Sequence, residues 1–142
     1  MTEFVFGKDR MQVDAERTRD WYSAHEDLEG RCTCAYCRNF HAALPLLPRE
    51  VRQFLEPLGL TLERPAEIME WCKEADGRHW YTALYHLVGE LAKEGAEPVE
   101  IAPEVTVGFA VDSGPFLKDF PKPFFQLFLD VYLPWVLEET DT

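Results

Sequence analysis

The dipeptide Asp76-Gly77 constrains the fold more than any other feature of the sequence. It separates segment 69–73 from a long run, His79–Val88, that is rich in aromatic and β-branched residues. An Asp-Gly pair between two such runs is typical of a tight β-hairpin. Because both faces of the second arm are largely apolar, we expect this strand to lie in the centre of a sheet.

The turn also predicts the register of the hairpin. A two-residue turn pairs Ala75 with Arg78, and that pairing places Cys72 opposite Tyr81. Side chains then alternate between the two faces along the second arm, with His79, Tyr81 and Tyr85 on one face and Trp80 and His86 on the other.

Further strands are predicted on both sides of this hairpin. Residues 105–111 alternate apolar and small or polar side chains, and residues 125–133 carry an apolar side chain at every second position. Segments 4–6 and 11–13 are typical of a small N-terminal hairpin. The charged, proline-containing segment 92–103 is predicted to be a loop.

Helical signals lie mainly in the first half of the chain. Asp14 is a suitable N-cap for a helix ending near His25. Tyr36, Phe40, Ala43 and Leu44 follow a helical period that Pro45 ends. Two further segments complete the helical prediction: a helix from Pro48 to Gly59 and a short turn over 66–68.

The order of these elements predicts an α+β fold. We expect a single domain over residues 1–142, with N-terminal helices packed on a C-terminal antiparallel sheet of about four or five strands. At 142 residues, of which 46% are hydrophobic, the chain can bury roughly two thirds of its unfolded surface without a disulfide or a metal ion.

The charge of the chain excludes several classes of partner. The net charge is −12, and Lys and Arg form no cluster, so we expect neither nucleic-acid binding nor attachment to anionic membranes. The sequence contains no apolar stretch of about 18 residues and no signal-peptide pattern, which favours the cytoplasm. Phosphate-loop, nucleophile-elbow and zinc-protease motifs are also missing, so the sequence favours a non-enzymatic protein.

Three of the four cysteines lie within six residues, at Cys32, Cys34 and Cys37. In a reducing cytoplasm such a group is typical of metal ligands. The C-x-x-C spacing supplies two zinc ligands from one turn, and His41, one helical turn after Cys37, is the expected fourth ligand. Other candidates for the fourth position are Cys72, His86, His79 and His25.

Two other interpretations of the cysteines remain open. Cys34 and Cys37 have the spacing of a thioredoxin-type motif at a helix N-terminus, but the preceding segment 26–31 is charged rather than an apolar strand. The three thiols could also pack under a loop as small hydrophobic side chains.

The remaining hypotheses concern other surfaces. A ligand-binding protein or enzyme would use a pocket lined by His79, Tyr81 and Tyr85 on the sheet. An interaction module would instead expose an apolar patch or form a homodimer, with the acidic loop 94–104 as a contact for a basic protein partner.

Four stretches together carry a resemblance to known proteins. They are Cys32–Phe40, Gly59–Glu67, Tyr85–Glu90 and Leu133–Leu137. The chain resembles a group of small bacterial proteins of unassigned activity with a C-x-C-x-Y-C-x-N-F/Y stretch. The resemblance implies a bacterial, cytoplasmic single domain, and it implies no functional residue.

Overall fold

The computed structural model describes residues 1–25, 32–95, 97–111, 117 and 119–141. Two strands open the described chain, three helices follow, and five further strands complete it. The elements are β1 (Thr2–Phe6), β2 (Asp9–Val13), α1 (Ala15–Ala24), α2 (Ala35–Ala43), α3 (Arg49–Leu55), β3 (Glu67–Lys73), β4 (His79–Lys93), β5 (Val99–Ala102), β6 (Val105–Ala110) and β7 (Phe124–Leu133). Short 3-10 helices follow α2 and α3, over Leu44–Leu46 and Glu56–Leu58.

The strands form an antiparallel sheet organised around β4, as its apolar faces predict. The strand order is β1-β2-β4-β7-β6-β5, and β3 also pairs with β4. β7 lies along one edge of β4, from the pair His79–Leu133 to the pair Val88–Phe124. β3 and β2 share the other edge, with β3 beside the first half of β4 and β2 beside its end.

The α+β class is confirmed, but the predicted sheet of four or five strands is too small. The described residues form seven strands, because the N-terminal hairpin joins the sheet and β5 forms within the segment predicted as a loop. Strands therefore precede the helices as well as follow them. β4 also extends to Lys93, where its last residues pair with β2.

The segment at 66–68 is extended rather than helical. The backbone N–H of Ala66 donates to the carbonyl of Leu84 at 2.7 Å, and β3 begins at Glu67. Pro65 is compatible with either conformation, so the unpaired edge of β4 decides the outcome by offering hydrogen-bond partners to an adjacent strand.

The hairpin at Asp76-Gly77 is confirmed, but its predicted register is wrong. The N–H of Glu74 donates to the carbonyl of Arg78 at 2.7 Å, so the turn contains three residues, and Gly77 takes its left-handed position at φ +90°. Because of this longer turn, Cys72 lies opposite Trp80 instead of Tyr81. A β-bulge at Trp71 then shifts the pairing again, so that Tyr81 lies opposite Glu70.

One face of β4 and β7 forms the centre of the core. The alternate residues of β7 from Phe125 to Leu133 are buried, as their spacing predicts. Helical side chains complete the same cluster, among them Phe40, whose ring centroid lies 5.6 Å from that of Tyr81. None of the helices in the described residues is long and apolar enough to cross a membrane.

Candidate metal centre

The cysteine segment enters α2 at its N-terminus. Cys34 is the N-cap residue with extended backbone angles, and its carbonyl accepts a hydrogen bond from the N–H of Arg38 at 3.0 Å. The Cys34 side chain does not cap the helix, so its sulfur is not engaged there. Cys37 lies in the first helical turn, which brings its side chain back beside the segment that precedes the helix.

The three sulfur atoms form one compact group. The Sγ atoms of Cys32, Cys34 and Cys37 all lie within 4.8 Å of one another, and those of Cys32 and Cys34 are 3.1 Å apart. A tetrahedral ion with Zn–S bonds of about 2.3 Å separates its sulfur ligands by about 3.8 Å. The three cysteines could therefore bind one metal ion.

The thiols differ in exposure and in acidity. Cys32 and Cys34 are exposed, whereas Cys37 is half-buried. Hydrogen bonds from the thiols of Cys37 and Cys34 lower the pKa of Cys32, while burial and hydrogen bonding to its neighbours raise the pKa of Cys37. Of these two thiols, the exposed Cys32 is therefore the more acidic one.

Arg38 holds the cysteine segment in place. Its Nε donates to the carbonyl of Thr33 at 2.9 Å, and its guanidinium forms an ion pair with Glu139. The hydrogen bond to the Glu139 carboxylate raises the pKa of Arg38, a side chain that is always charged in proteins. One side chain thus connects the cysteine segment to the C-terminal segment after β7.

The structure does not bring the predicted fourth ligand to the cysteines. His41 lies on α2 beside Phe40, with ring centroids 5.5 Å apart, and is not part of the sulfur group. Across the described residues, the group of mutually close metal-ligating side chains contains only the three cysteines.

The other fourth-ligand candidates each have a different environment. Cys72 is exposed on β3, with its sulfur 3.8 Å from Glu74. The ring of His25 stacks on Trp21 at 3.9 Å. His86 is fully buried, and the N–H of Leu117 donates to its Nε2 at 3.4 Å.

His79 is also buried, and the sequence does not reveal its partners. Its Nδ1 lies 2.9 Å from Glu70, and its Nε2 lies 3.0 Å from Asp141, which is 62 residues away in the chain. The Asp141 carboxylate also pairs with Lys73 at 3.0 Å. His79 therefore ties the C-terminal segment to the start of β4, and only the tertiary fold creates this contact.

The structure places the side chains of His79, Tyr81 and Tyr85, which were predicted to line a pocket, in the interior of its described part. All three side chains are buried. The Tyr81 hydroxyl donates to the carbonyl of Tyr36 at 2.8 Å, and the Tyr85 hydroxyl donates to that of Leu62 at 2.6 Å. These two hydroxyls thus bond to the segments between β2 and β3 that pack on this face of β4.

Comparison of the chain with protein-family models, with curated proteins and with solved structures gives no significant match.

Proposed function

We propose that the protein binds a thiophilic metal ion, with Zn²⁺ as the first candidate and Cu⁺ as the second, through Cys32, Cys34 and Cys37. The observation that carries the proposal is the close approach of three sulfur atoms, all within 4.8 Å of one another, at a helix N-terminus. Thiolate ligands favour these ions over the hard cations Mg²⁺ and Ca²⁺.

The arrangement favours an exchangeable site over a structural one. Structural zinc sites are closed by four protein ligands, whereas the described residues bring together three, which leaves one position open. Cys32 and Cys34 are exposed, and the buried core contains none of the cysteines. We therefore expect the fold to be retained without the ion, and solvent to occupy the fourth position.

This proposal accounts for the thiols better than packing does. Cysteines that serve as small hydrophobic side chains are buried, but two of these three are exposed. The sequence interpretation of a bacterial cytoplasmic protein agrees with it, because a reducing compartment keeps all three ligands as free thiols. We assign no catalytic reaction to the site.

Metal binding to untagged, fully reduced protein tests the proposal. After anaerobic incubation with Zn²⁺ or with Cu⁺ and removal of excess ion, we expect about one equivalent of metal per chain by elemental analysis. Less than about a tenth of an equivalent of either ion, with all thiols freely titratable, would overturn the proposal.

The variants are chosen so that one cysteine serves as a matched control. A triple C32S/C34S/C37S variant should lose the ion, whereas C72S should retain it, because Cys72 lies outside the sulfur group. H41A should keep an affinity within about twofold of the wild type. Equal retention by the triple variant would place the metal elsewhere.

A further inference from the structure

The sheet face opposite the helices carries an open groove with a volume of about 710 Å³. Its floor comes from β4, β7 and β6, where Trp80 pairs with Tyr132 and Thr106 pairs with Asp130. The turns on either side of the groove carry charged residues. The lining residues are Glu74, Ala75, Asp76, Arg78, Trp80, Glu104, Thr106, Asp130 and Tyr132.

Aromatic rings form the apolar part of this groove. The rings of Trp80 and Tyr132 stack with centroids 6.5 Å apart. Trp71, at the bulge in β3, lies beside Trp80 with ring centroids 5.7 Å apart, and the residue is 54% exposed. Trp71 does not itself line the groove, and it packs against Trp80, which does.

Hydrogen bonds fix the orientation of these rings. The Trp71 indole N–H donates to Thr82 at 2.7 Å, and the Trp80 indole N–H donates to Asp130 at 3.2 Å. The Thr82 hydroxyl also donates to Asp130. The indole N–H groups of both tryptophans thus have partners within the protein, and the Trp80 ring is held in the lining of the groove.

Negative charge dominates the groove. Four carboxylates, those of Glu74, Asp76, Glu104 and Asp130, line it together with the single guanidinium of Arg78. Arg78 pairs with Asp76 at 2.8 Å and with Glu104 at 2.9 Å. No salt bridge among the described residues neutralises Glu74 or Asp130.

Arg78 shows which ligand chemistry the groove accepts. Its guanidinium carbon lies 5.3 Å from the centroid of the Tyr132 ring, a cation–π contact, while its nitrogens bond to carboxylates. A second organic cation can use the same two kinds of contact at Trp80 and Asp130.

The acidic character continues beyond the groove. Asp130 also lines a second cavity of about 250 Å³, to which Asp9, Glu94 and Glu97 contribute. Carboxylates therefore follow one another along this face of the sheet. Such a series matches a ligand that carries several positive charges along a chain.

We propose that this face binds an aliphatic polyamine, with one ammonium group at Asp130 and the methylene chain against Trp80 and Tyr132. The groove of about 710 Å³ and the adjoining cavity of about 250 Å³ together lie within the range of small-molecule sites, which is about 300–1,000 Å³. The site is separate from the cysteine group and does not depend on metal binding.

Calorimetric titration with spermidine tests the proposal, with intrinsic tryptophan fluorescence as a second readout. We expect saturable binding at one site, a change in tryptophan emission, and weakening as salt concentration rises. D130N should weaken binding about tenfold, and W80L should weaken it similarly. The amide oxygen that D130N introduces can still accept the hydrogen bonds of Trp80 and Thr82, so this variant is expected to fold.

The control removes an equal charge from a distant surface. E50Q changes an exposed carboxylate on α3 and should leave the affinity within about twofold. If E50Q and D130N weakened spermidine binding equally, the ligand would be responding only to the net charge of the protein, and the proposal would be overturned. Absence of binding at about 10 mM spermidine, or tighter binding of an oligolysine peptide than of spermidine, would also overturn it.

Discussion

The side chain of Asn39 in α2 is hydrogen-bonded to the backbone of Val136, whose N–H donates to Asn39 Oδ1 at 2.8 Å. Asn39 Nδ2 in turn donates to the carbonyl of Pro134 at 3.1 Å. The buried Asn39 amide in α2 therefore bonds to the backbone on either side of Trp135. Arg38, which precedes Asn39 in the chain, pairs with Glu139. The C-terminal segment is thus anchored beside the cysteine segment.

Replacing Asn39 by Ala should destabilise the protein by about 2–4 kcal/mol, because two backbone groups lose their hydrogen-bond partner at a buried site. The free energy of unfolding from urea titration measures the effect. E139Q is the control: its ion pair with Arg38 is about half exposed, so its loss should cost less than about 1 kcal/mol. Equal losses in the two variants would contradict the anchoring role of Asn39.

Gly89 permits the close approach of β2 to β4. Its φ is +148°, and a Cβ at this position would lie 1.9 Å from the carbonyl oxygen of Gln12. We therefore expect G89A to lower the free energy of unfolding by about 3 kcal/mol or more, since the strands must separate.

The matched control is Gly108 in β6, where an added Cβ would meet nothing within 4 Å. G108A should change stability by less than about 1 kcal/mol in the same urea titration. A G89A variant as stable as G108A would show that β2 is not held against β4 in this way.

His86 should make the protein sensitive to mild acid. Burial lowers its pKa from 6.5 to about 4, so between these values the unfolded chain binds a proton that the folded chain excludes. Stability is then lost as the pH falls from 6.5 to 4, by up to about 3 kcal/mol.

The variant H86Q removes this titration while keeping an acceptor for the Leu117 N–H. The measurement is the free energy of unfolding of both proteins at several pH values. We expect their difference to change by about 3 kcal/mol across the interval. Parallel pH profiles would contradict the prediction.

Local sequence patterns predicted most of the secondary structure. The alternation in β7 and the N-cap at Asp14, whose side chain accepts from the N–H of Arg17, are both found in the fold. The errors occur where hydrogen bonding to a neighbouring strand determines the local conformation. The bulge at Trp71 and the extended chain at Ala66 depend on the edge of β4, which no local window of sequence reveals.

In the candidate site, too, the local features were predicted from the sequence and the distant contacts were not. The three cysteines are neighbours in the chain, so their spacing alone predicted a cluster that the structure contains. The orientation of His41 depends on how α2 packs, and the contacts of Arg38 and His79 with the C-terminal segment span 101 and 62 residues. Such distant contacts leave no periodic signal in the sequence.

X-ray absorption of the zinc-loaded protein tests the central claim most directly, because it counts the sulfur atoms around the ion. Binding by Cys32, Cys34 and Cys37 with one open position predicts three sulfur atoms at about 2.3 Å and one oxygen or nitrogen at about 2.0 Å. A shell of four sulfur atoms, or one that contains only oxygen and nitrogen, would contradict the claim.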